Sequence, residues 1–440
     1  MRPVPTEAIL KPLPDDTQPK QQKQPSGHGA FSALRHPAYR YFFGGQIVSL
    51  IGTWMQTVAQ QIVVYQLAEA QLKAGVPEAL GSELALGLVA CAQGFPAFIL
   101  APFSGVIAER FPRRRVLILM QTLMMLTALT LAGLSFAGTL QIWHVIALSF
   151  TLGIGTAIEA PTRLSFFTEM VGREDLPSGI VLNSMMFNVA RILGPAFGGL
   201  ALRYIGVSWC FLLNGLSFLA VITGLSLMKL RPITRVTEAI HFFASFKEGL
   251  RFSRSHPVIR PLLLLSAISS MFGLTFSVLI SPFSDKILGN LKDGTSALLT
   301  AQGLGALGGT VLITMITGRG VRGRVMMIGA LVGPASVIAL ALTRTMTLAL
   351  PLIAVSGFAF VCQFVLTNTL IQNTVPDEFR GRVLSLYTIT FFGLSPFGSL
   401  LIGVSGQALG VVPTMILFSG GTFIGAAFIL WNARHLEKLP

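Results

Sequence analysis

The sequence predicts an all-α membrane protein in which twelve transmembrane helices form two parallel six-helix repeats. Three observations support this prediction. Only 11% of the 440 residues are charged, against about 25% in soluble proteins. Apolar runs long enough to cross a bilayer recur along the chain, and the second half repeats short motifs of the first half. The mean hydropathy of +0.70 agrees with the low charge and the long apolar runs, and it argues against a soluble globular enzyme.

The predicted spans are continuous apolar blocks, each able to cross about 30 Å of hydrocarbon, which takes roughly 20 helical residues. Continuous blocks favour helices over the strands of a barrel, whose apolar residues alternate. The 45 glycines fit close packing between such helices. The spans are residues 39–67, 84–108, 115–137, 142–168, 178–203, 207–229, 258–283, 295–316, 325–343, 347–373, 383–406 and 411–433.

Three segments lie outside the spans. Residues 1–38 are rich in Pro, Gln and Lys and lack the apolar core of a signal peptide, so we expect a disordered cytoplasmic tail. Residues 230–257 are basic and amphipathic, and they predict a cytoplasmic linker with a short helix on the bilayer surface. Residues 435–440 form a second, short cytoplasmic tail.

The basic residues indicate the orientation of the chain. The net charge is +14, and 25 of the 32 Lys and Arg residues lie in segments on the same side as the amino terminus. By the positive-inside rule, both termini are predicted to be cytoplasmic. The excess of positive charge is therefore an orientation signal, and no nucleic-acid partner is expected. The expected partners are the lipid bilayer and a small-molecule substrate.

An internal repeat relates the two halves. CAQGFP at 91–96 is similar to TAQGLG at 300–305, and VGREDLPSG at 171–179 aligns with VPDEFRGRV at 375–383. Each half has an even number of spans, so the two halves have the same orientation. Parallel repeats of this kind occur in transporters whose substrate site lies between the halves. The predicted bundles are residues 39–229 and 258–434.

The loop between spans 2 and 3 reads Gly-Val-Ile-Ala-Glu-Arg-Phe-Pro-Arg-Arg-Arg over residues 105–115. It resembles the signature loop of the major facilitator superfamily, G-x-L-A-D-R-x-G-R-K/R, with Glu in place of Asp and Pro in place of the second Gly. The resemblance implies a conformational latch in which the acidic residue faces a helix amino terminus of the other half. A plain positive-inside cluster is the alternative. The gating-loop candidates are Gly105, Glu109, Arg110, Arg113 and Arg114.

Span 5 contains Gly194, Pro195, Gly198 and Gly199. These residues resemble the end of the superfamily's antiporter motif, G-x8-G-x3-G-P-x2-G-G, although the two earlier glycines are replaced. The resemblance implies an exporter that exchanges substrate for protons. Pro195 removes a backbone hydrogen bond and favours a bend. A generic packing kink is the alternative.

Four blocks, at 31–67, 159–176, 188–199 and 375–387, resemble the secretion-effector branch of the superfamily, which includes enterobactin exporters and macrolide efflux proteins. The resemblance implies export of a siderophore, drug or similar amphiphilic metabolite across a bacterial inner membrane. Import or uniport of a small metabolite on the same fold is the alternative. We expect a monomer that is not an enzyme, has no metal site and no cofactor, and uses the proton gradient as its energy source.

Charged residues within the spans are candidates for function because each costs about 2.5–3.5 kcal/mol in hydrocarbon. Glu159 and Arg163 lie four residues apart on one face of span 4. Glu159 is either the titrating carboxylate of proton coupling, with Arg163 adjusting its pKa or holding substrate, or part of a permanent structural pair. Arg191, near the middle of span 5, either contacts a carboxylate of the substrate or bonds to helix ends.

Polar residues within the spans are candidates for a substrate cavity, since spans 1, 4, 7 and 10 line the cavity in the superfamily that the chain resembles. Each of them is equally suited to hold two helices together. In the repeat, Gln363 aligns with Glu159, so any proton coupling is expected in the amino half. The cavity candidates are Gln46, Gln56, Gln60, Asn183, Asn188, Arg191, Gln363, Asn368 and Gln372.

Overall fold

The described part of the chain is helical and contains no strand. Twelve helical segments within it are long and apolar enough to cross a membrane, which confirms the predicted fold class. The computed structural model describes residues 31–77, 79–228, 242–316 and 320–439, without the side chains of 101–109, 242–246 and 438.

The amino-terminal bundle contains six helices. Most of them extend beyond the apolar runs of the sequence, because a helix continues through the polar interface where the hydropathy signal ends. Within the bundle, α1 packs against α5 and α6, α2 against α4, and α3 against α4 and α6. The helices are α1 (Pro37–Lys73), α2 (Ser82–Arg110), α3 (Arg113–Phe136), α4 (Ile142–Val171), α5 (Leu176–Tyr204) and α6 (Val207–Leu227).

The linker helix α7 and the carboxyl-terminal bundle follow. In the bundle, α12 packs against α10 and α11, and α11 packs against α15. Span 7 consists of α8 and α9, and span 11 consists of α13 and α14. The helices are α7 (Phe242–Ser255), α8 (Ile259–Ile268), α9 (Ile280–Lys286), α10 (Lys292–Met315), α11 (Arg322–Leu342), α12 (Met346–Thr374), α13 (Asp377–Thr388), α14 (Ser395–Leu409) and α15 (Val411–Asn432).

Spans 7 and 11 are interrupted near their middles, although the sequence predicted unbroken helices there. A turn of π-helix covers Ser269–Gly273 in span 7, and a second covers Ile389–Gly393 in span 11. The hydroxyl of Ser270 donates a hydrogen bond to the carbonyl oxygen of Phe391, which joins the two interruptions. Turns of π-helix inside α-helices occur frequently at functional sites. Hydropathy does not detect them, because the residues remain apolar.

The internal repeat has a direct counterpart in helix packing. Gly153 in α4 lies against α2, where an added Cβ would meet the carbonyl oxygen of Gln93 at 2.2 Å. Gly357 in α12 lies against α10, where an added Cβ would meet the carbonyl oxygen of Gln302 at 2.1 Å. No side chain fits at either distance. The same helix crossing therefore requires glycine at the matching position of both halves.

The two ends of the described chain lie on one side of the molecule, called here the termini side. Residues 31–36, which the sequence placed in the disordered tail, contact the start of α5: the backbone N–H of Ala33 donates to Ser178 Oγ at 3.1 Å. At the other end, Arg434–Lys438 forms a short 3-10 helix. The rest of the predicted amino-terminal tail, residues 1–30, lies outside the described residues.

The linker helix α7 contacts the carboxyl-terminal bundle. The Glu248 carboxylate pairs with Arg382 of α13 at 2.8 Å, and the Phe252 ring stacks on Phe379 with centroids 4.4 Å apart. The part of the linker before residue 242 lies outside the described residues. The predicted contact of this helix with the bilayer surface stays a prediction.

The two bundles meet on the side opposite the termini, called here the far side. Gly87 in α2 lies against α14, where an added Cβ would be 2.6 Å from the carbonyl oxygen of Ser399. Gly199 in α5 lies against α10, where an added Cβ would be 2.7 Å from the Cβ of Ser296. All four residues lie in the far-side halves of their helices. Glycine thus allows the backbones of the two bundles to touch there.

Candidate functional site

A cavity of about 520 Å³ lies between the two bundles. Helices α1, α2, α4 and α5 line it from the amino half, and spans 7 and 11 with α10 line it from the carboxyl half. Its size falls within the range of small-molecule sites. The aromatic lining residues are Trp54, Phe391 and Phe392, and the polar ones are Thr57, Gln60, Gln61, Gln93, Thr156, Arg191, Thr275, Ser277, Gln302, Ser395 and Ser399.

Arg191 is the charged residue of this lining. Its guanidinium lies 5.8 Å from the centroid of the Trp54 ring, and no described Asp or Glu forms an ion pair with it. A guanidinium stays protonated in proteins. The cavity therefore contains a fixed positive charge that has no counter-ion among the described residues.

The antiporter-like motif of span 5, Gly194, Pro195, Gly198 and Gly199, lies where α5 contacts its neighbours. An added Cβ at Gly194 would be 2.3 Å from the Cβ of Trp54, and one at Gly198 would be 3.4 Å from the carbonyl oxygen of Met55. Gly199 makes the contact with α10 given above. Gly194 therefore lets α5 pack on α1, and Gly199 lets α5 pack on the opposite bundle, whereas an added Cβ at Gly198 would make only ordinary van der Waals contact.

Pro195 changes the backbone next to Arg191. Proline has no N–H, so the carbonyl of Arg191 lacks its usual donor four residues later. Gly303 of α10 packs at this carbonyl, and an added Cβ there would be 2.9 Å from the oxygen. The motif thus brings the backbone of Arg191 against the opposite bundle, next to Gln302.

Four glutamines line the cavity, and they differ in their partners. Gln60 donates to Ser149 Oγ at 3.0 Å, and Gln61 accepts from Ser281 Oγ at 3.3 Å. The side chains of Gln93 and Gln302 form no hydrogen bond with another described residue. Gln93 and Gln302 were not among the predicted cavity residues. The Ala-Gln-Gly that repeats in the two halves is the sequence signal that could have identified them.

Of the nine predicted cavity residues, the structure places Gln60 and Arg191 in the lining and the other seven outside it. Gln56 accepts a hydrogen bond from Asn214 at 2.7 Å, and Gln363 donates to Ser269 Oγ at 2.6 Å, so both join neighbouring helices. Helix α12, expected from the resemblance to line the cavity, contributes no residue to this lining. Gln46, Asn183, Asn188, Asn368 and Gln372 also lie outside it.

The side chains of these five residues are buried or bonded locally. Gln46 and Asn183 are buried. Asn188 donates to the carbonyl oxygen of Ser184 at 2.9 Å, and Gln372 donates to the side chain of Asn368. Hydropathy does not distinguish such positions from the cavity lining, since both present polar atoms within a span.

Glu159 and Arg163 form a buried pair within α4. Arg163 Nε lies 3.5 Å from Glu159 Oε1, and the side chains are 5% and 8% exposed, respectively. Neither of these two atoms has a hydrogen-bond partner, and the guanidinium carbon lies 4.7 Å from the Phe187 ring centroid. The pair lies outside the cavity lining, toward the termini side of Thr156. The predicted pairing is present, and the role in proton coupling stays a prediction.

The described arginines of the gating loop bind within the amino-terminal bundle. Arg113 donates to Glu169 Oε1 at 2.8 Å, and Arg114 donates to the carbonyl oxygen of Ser226. These contacts hold α3 against α4 and α6. Arg110 is exposed. The structure does not describe the Glu109 side chain or the surroundings of Gly105, so the predicted latch to the other half stays a prediction.

A cluster of charged residues, called here the far-side gate, joins the two bundles. Lys286 Nζ of α9 lies 2.8 Å from Glu83 Oε1 of α2 and 3.4 Å from Glu69 Oε1 of α1. The Tyr65 hydroxyl donates to Asp285 Oδ2 at 2.6 Å. This cluster was not predicted from the sequence. Its partners are about 200 residues apart in sequence, and no motif marks them.

The termini side has no comparable connection between the bundles among the described ion pairs. Each pair there joins groups within one bundle, or joins the linker helix to the carboxyl-terminal bundle. The cavity is thus closed on the far side by the gate and by the glycine contacts. The pairs of the termini side are His36–Asp175, Arg113–Glu169, Arg324–Glu437, Arg380–Asp377 and Arg382–Glu248.

Comparisons with known proteins agree with this architecture. Residues 28–438 match the profile of the family described as transmembrane secretion effector. The chain is 22% identical to the staphyloferrin A transporter of Staphylococcus aureus over 406 residues, which cover 91% of this chain and 98% of that protein. It is 22% identical to the enterobactin exporter EntS of Escherichia coli (strain K12) over 418 residues, which cover 92% and 94%.

A multidrug relative and a solved structure extend the comparison. The chain is 24% identical to the multidrug efflux pump Tap of Mycolicibacterium fortuitum over 351 residues, which cover 77% of this chain and 85% of that protein. The crystal structure of a D-xylose-proton symporter superposes with a TM-score of 0.69 at 16% identity, covering 91% of this chain and 98% of the other. At this identity the structural likeness concerns the fold alone.

Proposed function

Because the chain belongs to the transmembrane secretion effector family of the major facilitator superfamily, we propose that it is a proton-coupled exporter. Its substrate is a siderophore, a drug or a similar amphiphilic metabolite. Relatives described as an enterobactin exporter and a multidrug efflux pump support the direction and the substrate class. The chain is a transporter by family and fold, and a multi-pass membrane protein.

The observation that carries the proposal is the cavity between the bundles together with its closed far side. Transport by alternating access needs a central site that opens to one side of the membrane at a time. The far-side gate and the contact of Gly87 with α14 are interactions that separate when the bundles rock apart. In this proposal, the structure represents the state that receives substrate from the termini side.

The orientation in the membrane follows from the charge distribution. The positive-inside rule places the termini side in the cytoplasm of a bacterial cell and the far side outside the inner membrane. Substrate then enters the cavity from the cytoplasm and leaves through the far side. The proton gradient, directed inward, supplies the free energy.

Glu159 is our candidate for the proton-coupling carboxylate, with Arg163 as its partner. The carboxylate is buried, and its contact with Arg163 at 3.5 Å is longer than that of a charge-assisted hydrogen bond. Protonation removes the charge of Glu159 and leaves Arg163 without a partner. Coupling then requires that this change alters the relative free energies of the two transport states.

The test uses everted membrane vesicles, whose outer surface is the cytoplasmic face. Respiration acidifies the lumen, and a pH-sensitive dye such as ACMA reports the gradient. Enterobactin and ethidium are added separately as substrates. We expect fluorescence recovery on addition of at least one of them, because the exporter releases luminal protons in exchange. Vesicles without the protein are the control.

Glu159→Gln tests the coupling residue, and Glu174→Gln, which changes an exposed carboxylate just after α4 without a described ion pair, is its control. We expect Glu159→Gln to abolish the fluorescence recovery and Glu174→Gln to preserve it. Equal proton-coupled export by both variants would remove Glu159 from the mechanism. Substrate movement out of the lumen under the same gradient would instead support the importer that the sequence left open.

A further inference from the structure

Arg191 gives the cavity between the bundles a positive charge near the middle of the membrane, and no described residue pairs with it. Arg191 is half-buried at the middle of α5, and its described contact is with the ring of Trp54. A charged side chain within a transmembrane span must face protein or a cavity, and it marks a substrate or ion pathway. Arg163, by contrast, has Glu159 beside it. A counter-ion for Arg191 therefore has to come from outside the described chain.

Two neutral amides in the same cavity also lack partners. Gln93 and Gln302 occupy equivalent positions of the two halves, and their side chains form no hydrogen bond with another described residue. The backbone next to Gln302 packs against the carbonyl of Arg191 through Gly303. Several other polar lining residues bond to protein, as Gln60 does to Ser149. The donors of the cavity without a described partner include the guanidinium of Arg191 and the amides of Gln93 and Gln302, which come from both bundles.

The rest of the cavity wall suits an apolar or aromatic group. Trp54 lies on the amino side and Phe391 and Phe392 lie on the carboxyl side, within the second π-helical turn. The volume of about 520 Å³ accepts a small organic molecule and excludes large polymers. A fixed guanidinium in this setting attracts carboxylates and repels cations.

We infer that the substrate is an organic acid with an aromatic or apolar body, whose anionic group binds Arg191 and whose body packs against Trp54 and the two phenylalanines. This inference rests on the proposed function and narrows it from amphiphiles in general to anionic ones. Cationic drugs are poor substrates in this assignment. Arg191 acts as the residue that determines charge selectivity.

The test is a binding experiment with three probes that share a fluorophore and differ in charge: dansylglycine, its methyl ester and dansylcholine. The purified full-length protein is reconstituted in nanodiscs, and energy transfer from tryptophan to the dansyl group reports binding. We expect the native protein to bind dansylglycine at least tenfold more tightly than either of the others. Arg191→Gln should weaken the binding of dansylglycine about ten- to a hundredfold and change the affinity for the methyl ester by less than twofold.

Two further variants control for folding and position. Arg191→Lys keeps the charge and should retain the preference for the anion, with weaker binding because the ammonium lacks the bidentate fork. Arg203→Gln removes an exposed arginine from the far-side end of the same helix and should leave all three affinities unchanged. If Arg191→Gln does not fold, the order of the affinities for the three probes, measured in the native protein and in Arg191→Lys, tests whether the cavity prefers anions.

The inference is overturned if the native protein prefers dansylcholine, binds none of the probes, or keeps its anion preference in Arg191→Gln. The vesicle experiment separates this failure from that of the proposed function. If the vesicles show proton-coupled export but Arg191→Gln keeps the preference for the anionic probe, the inference is refuted and the proposed exporter stands. Arg191-dependent anion binding without proton-coupled movement would refute the exporter and leave the anion site.

Discussion

Two ion pairs of this protein differ in what they join. Glu159 and Arg163 lie four residues apart on one helix, inside the amino-terminal bundle. Glu83 and Lys286 lie 203 residues apart and join the two bundles on the far side. A pair within one helix keeps its geometry when the bundles move as rigid bodies, whereas a pair between them has to break. The second pair therefore acts directly on the equilibrium between transport states, whereas the first acts on it only through a change in its protonation.

The two pairs also differ in their contact with solvent. The side chains of Glu159 and Arg163 are 8% and 5% exposed, whereas that of Lys286 is 40% exposed. Separating a buried pair leaves an unsolvated charge, which costs about 3–5 kcal/mol. The partly exposed lysine of the far-side pair keeps its contact with water, and the Glu83 carboxylate, 6% exposed in the closed arrangement, gains contact with water when the bundles move apart. A far-side pair is thus suited to break in each transport cycle, and a buried pair is not, unless one partner changes its protonation.

Arg163→Met gives the largest expected effect and tests the buried side of the comparison. The substitution leaves Glu159 without a partner and should lower the free energy of unfolding by about 3–5 kcal/mol. Glu159→Gln combined with Arg163→Met should recover part of the loss, because no buried charge remains. Thermal unfolding of the purified variants in detergent measures both. A single variant as stable as the double would contradict the assigned pairing, and Arg203→Met is the exposed control.

Gly87→Ala tests the closed far side without changing charge. The added methyl group would be 2.6 Å from the carbonyl oxygen of Ser399, so the bundles have to move apart. We expect the substitution to destabilise the closed arrangement by about 1–3 kcal/mol. Increased labelling of a cysteine introduced at Ser281 by a maleimide added from the far side measures the opening. Gly421→Ala in α15, where an added Cβ meets no atom within 4 Å, should not change the labelling rate.

Lys286→Met tests the gate itself. Removing the ammonium separates the contacts with Glu83 and Glu69 and leaves two carboxylates close together, so the far side should open more often. A shift of about 1–2 kcal/mol would raise the labelling rate at the same introduced cysteine about 5–30-fold. Lys292→Met, an exposed far-side lysine without a described ion pair, is the matched control. An unchanged rate would show that the ion pairs of Lys286 do not hold the far side closed.

Arg324→Ala gives the smallest expected effect and completes the comparison with an exposed pair. Arg324 and Glu437 lie 2.9 Å apart on the termini side, with side chains 64% and 46% exposed. Exposed pairs contribute about 0–1 kcal/mol. We expect neither the melting temperature nor the far-side labelling rate to change beyond error. A large loss of stability would mean that the carboxyl-terminal segment depends on this pair for its contact with α11.

The sequence predicted the fold through signals that are local or periodic. Hydropathy located the twelve spans, and the repeat of Ala-Gln-Gly related the halves; the structure confirms the spans and shows equivalent crossings at Gly153 and Gly357. The positive-inside rule supplied an orientation that remains a prediction. The interruptions of spans 7 and 11 were not predicted, because residues of a π-helical turn have the same hydropathy as those of an α-helix.

The candidate site was predicted only in part. Arg191 and Gln60 were selected as charged or polar residues within spans, and both line the cavity. Gln56 and Gln363 were selected for the same reason, yet both bond to neighbouring helices. A polar residue within a span has to satisfy its hydrogen bonds with either a helix or a cavity. Sequence alone does not distinguish these two solutions.

The sequence by itself determined that this chain is a twelve-helix membrane protein of two repeated halves, because lipid requires apolar helices of a fixed length. The tertiary structure decided which polar groups meet. It placed Lys286 beside Glu83 at the far side, kept Arg163 with Glu159 inside one bundle, and left Arg191 facing the cavity. Those outcomes depend on helix rotation and on approach at glycine, which hydropathy does not specify.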